Sequence, residues 1–162
     1  MISSAVISPD EIYRYTLERC WRIQGPTLCL AMLNPSKADA RLNDPTIRRG
    51  IGLAQRWGYG GIVVINLFAY RATDPKEMKL AVDPVGPEND RYILEVLQRP
   101  GLGLLVAWGA HGGYLDRDTK MMELIKHSGQ EAYHLGLTKE GYPRHPLYVP
   151  SNVRLERYYG RN

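Results

Sequence analysis

The chain reads as an α/β protein whose open, parallel sheet is covered by helices on both faces. Two observations point there. Continuous apolar runs of strand length recur at Leu28–Leu33, Ile62–Leu67 and Leu102–Trp108, as expected for strands buried on both faces. Segments with helical apolar spacing lie between and after them. A third observation sets the domain count. No repeat or Ser/Gly/Pro-rich linker divides the 162 residues, so they form a single domain over 1–162. Its first residues, about 25 of them, read as an extension packed on that domain.

Taken in order, Tyr13–Leu17 alternates large and polar residues and predicts a strand, although Ser8-Pro9-Asp10-Glu11 upstream also suits a helix start. Gly25-Pro26 is a turn, and the run Leu28–Leu33 after it stops at Asn34-Pro35-Ser36. Asp44-Pro45-Thr46 predicts a helix start, with a capping carboxylate followed by proline at the first helical position. Ile47, Ile51, Ala54 and Trp57 continue it, and Gly58 ends it. After the strand Ile62–Leu67 comes a helix over 87–98, carrying Tyr92, Leu94, Val96 and Leu97. The strand Leu102–Trp108 ends at Gly109. A helix follows over 118–128, then a short strand over 132–135. The stretch 141–150 holds too much proline for a regular element.

Composition excludes several classes. Two cysteines, Cys20 and Cys29, rule out a disulfide scaffold and any four-thiolate metal site. No run of 18 apolar residues exists, so a transmembrane helix and a membrane partner are excluded. The N-terminus lacks the pattern of a secretory signal, and the chain reads as cytoplasmic. There is no GxGxxG after a strand, no Walker A loop, no HExxH and no GxSxG. His111, His127, His134 and His145 stand apart, so neither a metal nor a cofactor is implied. A net charge of +4 hints at an anionic partner. With 11 Tyr and 3 Trp against one Phe, the aromatic usage suits base stacking and half-buried packing equally.

In an open parallel sheet, ligands bind beyond the carboxyl ends of the strands. The residues there are Asn34-Pro35-Ser36, Asn66 to Arg71, Trp108 to His111, and the loop around His145. Asn34 and Asn66 each offer donors and an acceptor to the edge of a base. His145 can donate to a carbonyl oxygen that gains negative charge. Phe68, Tyr70 and Trp108 offer stacking faces, and Arg48, Arg49, Arg71 and Arg144 offer phosphate contacts. Bland roles compete. Asn34 suits a turn, Asn66 a loop cap, Phe68 and Trp108 a core, and Arg48-Arg49 the solvated face of a helix.

Taken together, Asn34-Pro35-Ser36-Lys37-Ala38-Asp39-Ala40, Asp44-Pro45-Thr46-Ile47-Arg48-Arg49, Asn66 to Pro75, Ala107-Trp108-Gly109 and Arg144-His145-Pro146-Leu147-Tyr148 closely resemble a bacterial and phage family. That family is known as domain of unknown function 1643, and the resemblance spans nearly the whole chain. More distantly, the order of motifs is similar to the uracil-DNA glycosylase superfamily. Asn34-Pro35 matches its water-positioning loop, Asn66 its base-reading asparagine, Trp108-Gly109 a later strand end, and His145-Pro146 its histidine loop. Many members carry aspartate where this chain has Asn34, and the mismatch-specific branch uses asparagine. The resemblance implies a three-layer α/β/α sandwich with a four-stranded, mainly parallel sheet.

It also implies a base-excising N-glycosylase acting on a modified base in DNA or in a nucleotide. Asn34 and His145 would be catalytic, and Pro35, Ser36, Asn66, Phe68, Tyr70 and Trp108 would hold the substrate. Two other functions stay open: a non-catalytic module that binds a base, and a nucleotide-metabolising enzyme with a small substrate.

Overall fold

The structure, a computed structural model, describes residues 1–161. Its centre is one seven-stranded sheet in the order β1-β2-β4-β3-β5-β6-β7. These strands are β1 (Ile2–Ile7), β2 (Arg14–Cys20), β3 (Thr27–Met32), β4 (Gly61–Asn66), β5 (Leu102–Val106), β6 (Tyr133–His134) and β7 (Glu156–Arg157). β4, β3, β5 and β6 run parallel. β2 runs antiparallel to β4, β1 to β2, and β7 to β6. The α/β class is as expected, but the sheet is wider than the expected four strands. The unforeseen β1 and β7 lie at its two edges and are largely exposed, so they carry no burial pattern to read. The segment 8–11 is a turn that leads into β2, held by the Ser8 amide on the Tyr13 carbonyl and by Glu11 at positive φ.

Residues alternate between the faces of the sheet because side chains on a strand have period two. Cys29, Ala31, Val63, Ile65, Leu104 and Val106 face α3 (Asn89–Leu97) and α4 (Arg117–Ser128). Met78, from the short α2 (Pro75–Leu80), joins them. Leu28, Leu30, Met32, Ile62, Val64 and Leu105 face α1 (Pro45–Arg56). Helices therefore cover both faces. Gly50 permits the close approach of α1, since a Cβ there would lie 2.5 Å from Leu30 Cδ1.

The capping logic at α1 holds. Asp44 Oδ1 accepts the Ile47 amide at 2.9 Å, with Pro45 in the first turn. Asp74-Pro75 starts α2 in the same way, but six residues are too few to show periodicity. Strand register then builds the functional edge. Met32 pairs with Asn66, and Ala31 with Val106, so three parallel strands end at one level. β2 runs the other way, so its first residue, Arg14, lies at that same edge.

Candidate functional site at the carboxyl edge

Beyond these strand ends lies a cleft of about 780 Å³. Asn34, Ser36, Asn66, Trp108, Arg144 and His145 all line it. The clusters after β3, β4 and β5 and the late histidine loop thus meet, although more than 100 residues separate the first from the last.

Asn66 ends β4 and is 1% exposed. Its Nδ2 and Oδ1 are both buried without a protein partner. Its backbone is fixed from behind, because Asn89 Nδ2 donates to the Asn66 carbonyl at 3.0 Å and to the Leu67 carbonyl at 3.2 Å. Arg117 Nε donates to the same Leu67 carbonyl at 2.9 Å. Most buried polar groups find a partner, and one without costs about 1–3 kcal/mol. Among the described residues, the buried side-chain atoms without one are Arg14 Nε, Asn66 Nδ2 and Oδ1, Trp108 Nε1 and Asn89 Oδ1. All but the last belong to residues lining the cleft. Unfilled hydrogen-bonding capacity is therefore concentrated here.

The Asn34 amide donates through Nδ2 to the Ala72 carbonyl at 2.8 Å and to the Pro35 carbonyl at 3.2 Å. That fixes the side chain and leaves Oδ1 as an acceptor. His145 opens a short 3₁₀ turn, Pro146–Tyr148, and its Nδ1 accepts the Leu147 amide at 3.2 Å. The ring proton therefore sits on Nε2. Burial lowers the His145 pKa, opposed by the charge of Asp44, so the ring is neutral at neutral pH and Nε2–H is a donor. Arg49 fastens this loop to α1, donating to the Pro146 carbonyl at 3.2 Å and the Val149 carbonyl at 2.8 Å.

Several expected site residues lie elsewhere. Pro35 is buried beside the cleft, where its carbonyl accepts from Asn34 and from the Ala72 amide. Phe68 is fully buried in the core against Tyr114, and Trp108, although it borders the cleft, is buried in the same core edge-on to Tyr158, so neither presents an open stacking face. Tyr70 pairs with Tyr13 away from the cleft. Arg48 donates to the Asn43 carbonyl and Arg71 to the Glu11 carbonyl, and neither lines the cleft. Arg49 has the fastening role described above. Of the four expected phosphate contacts, Arg144 alone reaches the cleft.

Other residues at the site were not anticipated as such. Arg14 starts an antiparallel strand, so it reaches this edge although it follows no parallel strand end. Asp44, which the sequence presents as a cap first and a ligand second, is the sole carboxylate among the cleft residues. Asn89 braces Asn66 from the start of α3, and no local pattern marks it.

Fold and site together define an α/β protein with a cleft at the carboxyl edge of its parallel strands. The cleft is lined by buried groups that have spare hydrogen bonds. The chain belongs to the family described as a protein of unknown function (DUF1643), which matches residues 14–147. That span contains every candidate residue named above. No curated protein and no solved structure matches the chain. Among the described residues, no helix is long and apolar enough to cross a membrane.

Proposed function

We propose that the cleft binds a nucleobase and that the protein is a base-excising N-glycosylase, acting on a modified base in DNA or in a nucleotide. The observation that carries this reading is the Asn66 amide. It is buried at the cleft wall, braced from behind, and has donor and acceptor both free. A base edge that presents a carbonyl beside a ring N–H, or an amino group beside a ring nitrogen, fills both at once. The distant resemblance of the motif order to the uracil-DNA glycosylase superfamily favours the same assignment and suggests the fold relationship.

The chemistry follows from the groups present. The C1′–N bond breaks and its electron pair leaves with the base, while the sugar takes on oxocarbenium character. His145 Nε2–H donates to the base carbonyl on which charge develops. Asn34 Oδ1 accepts a hydrogen bond from the water that adds at C1′. An amide does not take up a proton near neutral pH, so Asn34 orients the water rather than deprotonating it. Asp44 is the carboxylate available to stabilise the cationic sugar and to receive the proton of the water.

The second reading is a non-catalytic base-binding module, favoured by the amide at position 34. One experiment separates the two. The protein is incubated with oligonucleotides and nucleotides carrying a panel of modified bases, and free base is quantified by chromatography alongside binding. Release of a base, reduced about 10²–10³-fold in His145→Ala with little change in affinity, is the expected result. Binding without release from any member of the panel replaces the enzyme with the module. Absence of both overturns base recognition.

A further inference from the structure

Base recognition uses Asn66 and His145 and leaves Arg14 unexplained. Arg14 is 2% exposed, yet it lines the cleft. Its Nη1 donates to the Ala38 carbonyl at 3.0 Å, while Nε is buried with no partner. It forms no ion pair among the described residues. Burial pushes its pKa down to about 10 against the opposing charge of Asp44, so it stays protonated at neutral pH. A buried guanidinium with an unfilled N–H is costly, and an anion is its natural complement.

A second feature converges on the same place. The N-terminus of α1 reaches the cleft through Asp44, Pro45, Thr46 and Ile47. The Asp44 side chain caps the Ile47 amide, and Pro45 has no N–H. The Thr46 amide therefore remains for a ligand. Arg14 and Arg144 outweigh Asp44 in charge among the residues lining the cleft.

Three of the four arginines that the sequence offers as phosphate contacts do not line the cleft. Arg48, Arg49 and Arg71 lie off the cleft, each donating to a carbonyl of the protein itself. A nucleic acid relies on several such phosphate contacts. The cleft instead offers one deep cationic position. A phosphate that touches so enclosed a guanidinium is itself enclosed, and an internal phosphodiester would have to lead two chain continuations out. A terminal phosphate has only one. A volume of about 780 Å³ falls within the range for whole small ligands.

We propose that Arg14 binds the phosphate of a free nucleoside monophosphate, so that the substrate of this cleft is a small nucleotide rather than a base within a polymer. The proposal rests on the base-binding reading of Asn66. It is tested by titration calorimetry of the intact protein with ribo- and 2′-deoxyribonucleosides, including 5-substituted pyrimidines and N7-methylguanosine. The same compounds are measured as 5′-monophosphates, and again within short single-stranded oligonucleotides. For at least one base the monophosphate should bind at least about tenfold tighter than the nucleoside, the scale of a charge-assisted hydrogen bond. Arg14→Gln should abolish that difference and leave nucleoside affinity in place, and Arg14→Lys should keep part of it. If Arg14→Gln does not fold, competition on the wild type decides. Inorganic phosphate should weaken binding of the monophosphate and not of the nucleoside. Equal affinity for nucleoside and monophosphate overturns the proposal and spares base recognition. An oligonucleotide that outbinds every monophosphate overturns it in favour of a polymer. No binding by any base-bearing probe overturns both.

Discussion

Asn66 carries an amide whose burial without a partner opposes folding. Its isosteric apolar replacement should therefore leave the fold at least as stable, because removing a buried, unsatisfied polar group is neutral or favourable. Asn66→Leu is predicted to melt no lower than the wild type in thermal denaturation. The same variant should lose base affinity by about tenfold to a hundredfold, because two hydrogen bonds to the ligand go with it. A fall in melting temperature with unchanged affinity would make Asn66 a structural residue. Stability given up at a site in this way is the usual mark of function. At this scale the sequence was informative wherever a polar residue directly follows a buried run, as at Asn34 and Asn66. It misled wherever an aromatic could belong either to the core or to the site. Phe68 follows its strand as Trp108 ends its own, and both are buried in the same core cluster, Trp108 alone also bordering the cleft. The arginines were illegible, since no periodicity tells a solvated guanidinium from one that fastens a loop, as Arg49 does.

α1 joins structure and chemistry through its first residue. Asp44 caps the helix and also supplies the cleft with its carboxylate. The two roles come apart under mutation. Asn caps about as well as Asp, whereas Ala does not cap. Asp44→Asn should keep the wild-type stability and lose most base release, if release requires a carboxylate. Asp44→Ala should lose the same activity and about 1 kcal/mol of stability in addition. Chemical denaturation alongside the base-release assay checks both. Equal activity of Asp44→Asn and wild type would confine Asp44 to its cap. Elements with an apolar run or helical apolar spacing were readable, including α1, α3, α4 and the parallel strands. Those without burial, such as β1 and β7, or too short to repeat, such as α2, were not.

The whole molecule explains why residues so far apart in sequence share one cleft. Parallel strands of matched register deliver their ends to one level, and the antiparallel β2 delivers its start there. The expectation of a common edge depended only on the direction of the parallel strands, and periodicity supplied that. The contribution of β2 depended on strand pairing across 40 and more residues, which local patterns do not encode. Long-range bracing completes the site, with Asn89 and Arg117 behind β4 and Arg49 holding the His145 loop. We propose that this edge reads a base through Asn66. A crystal structure of the protein with the tightest-binding nucleoside or nucleotide tests it most directly. The base edge should lie at hydrogen-bond distance, about 2.7–3.2 Å, from both Asn66 Nδ2 and Oδ1, with His145 Nε2 on a base carbonyl. A base bound elsewhere, or one in the cleft that leaves the Asn66 amide untouched, would contradict it.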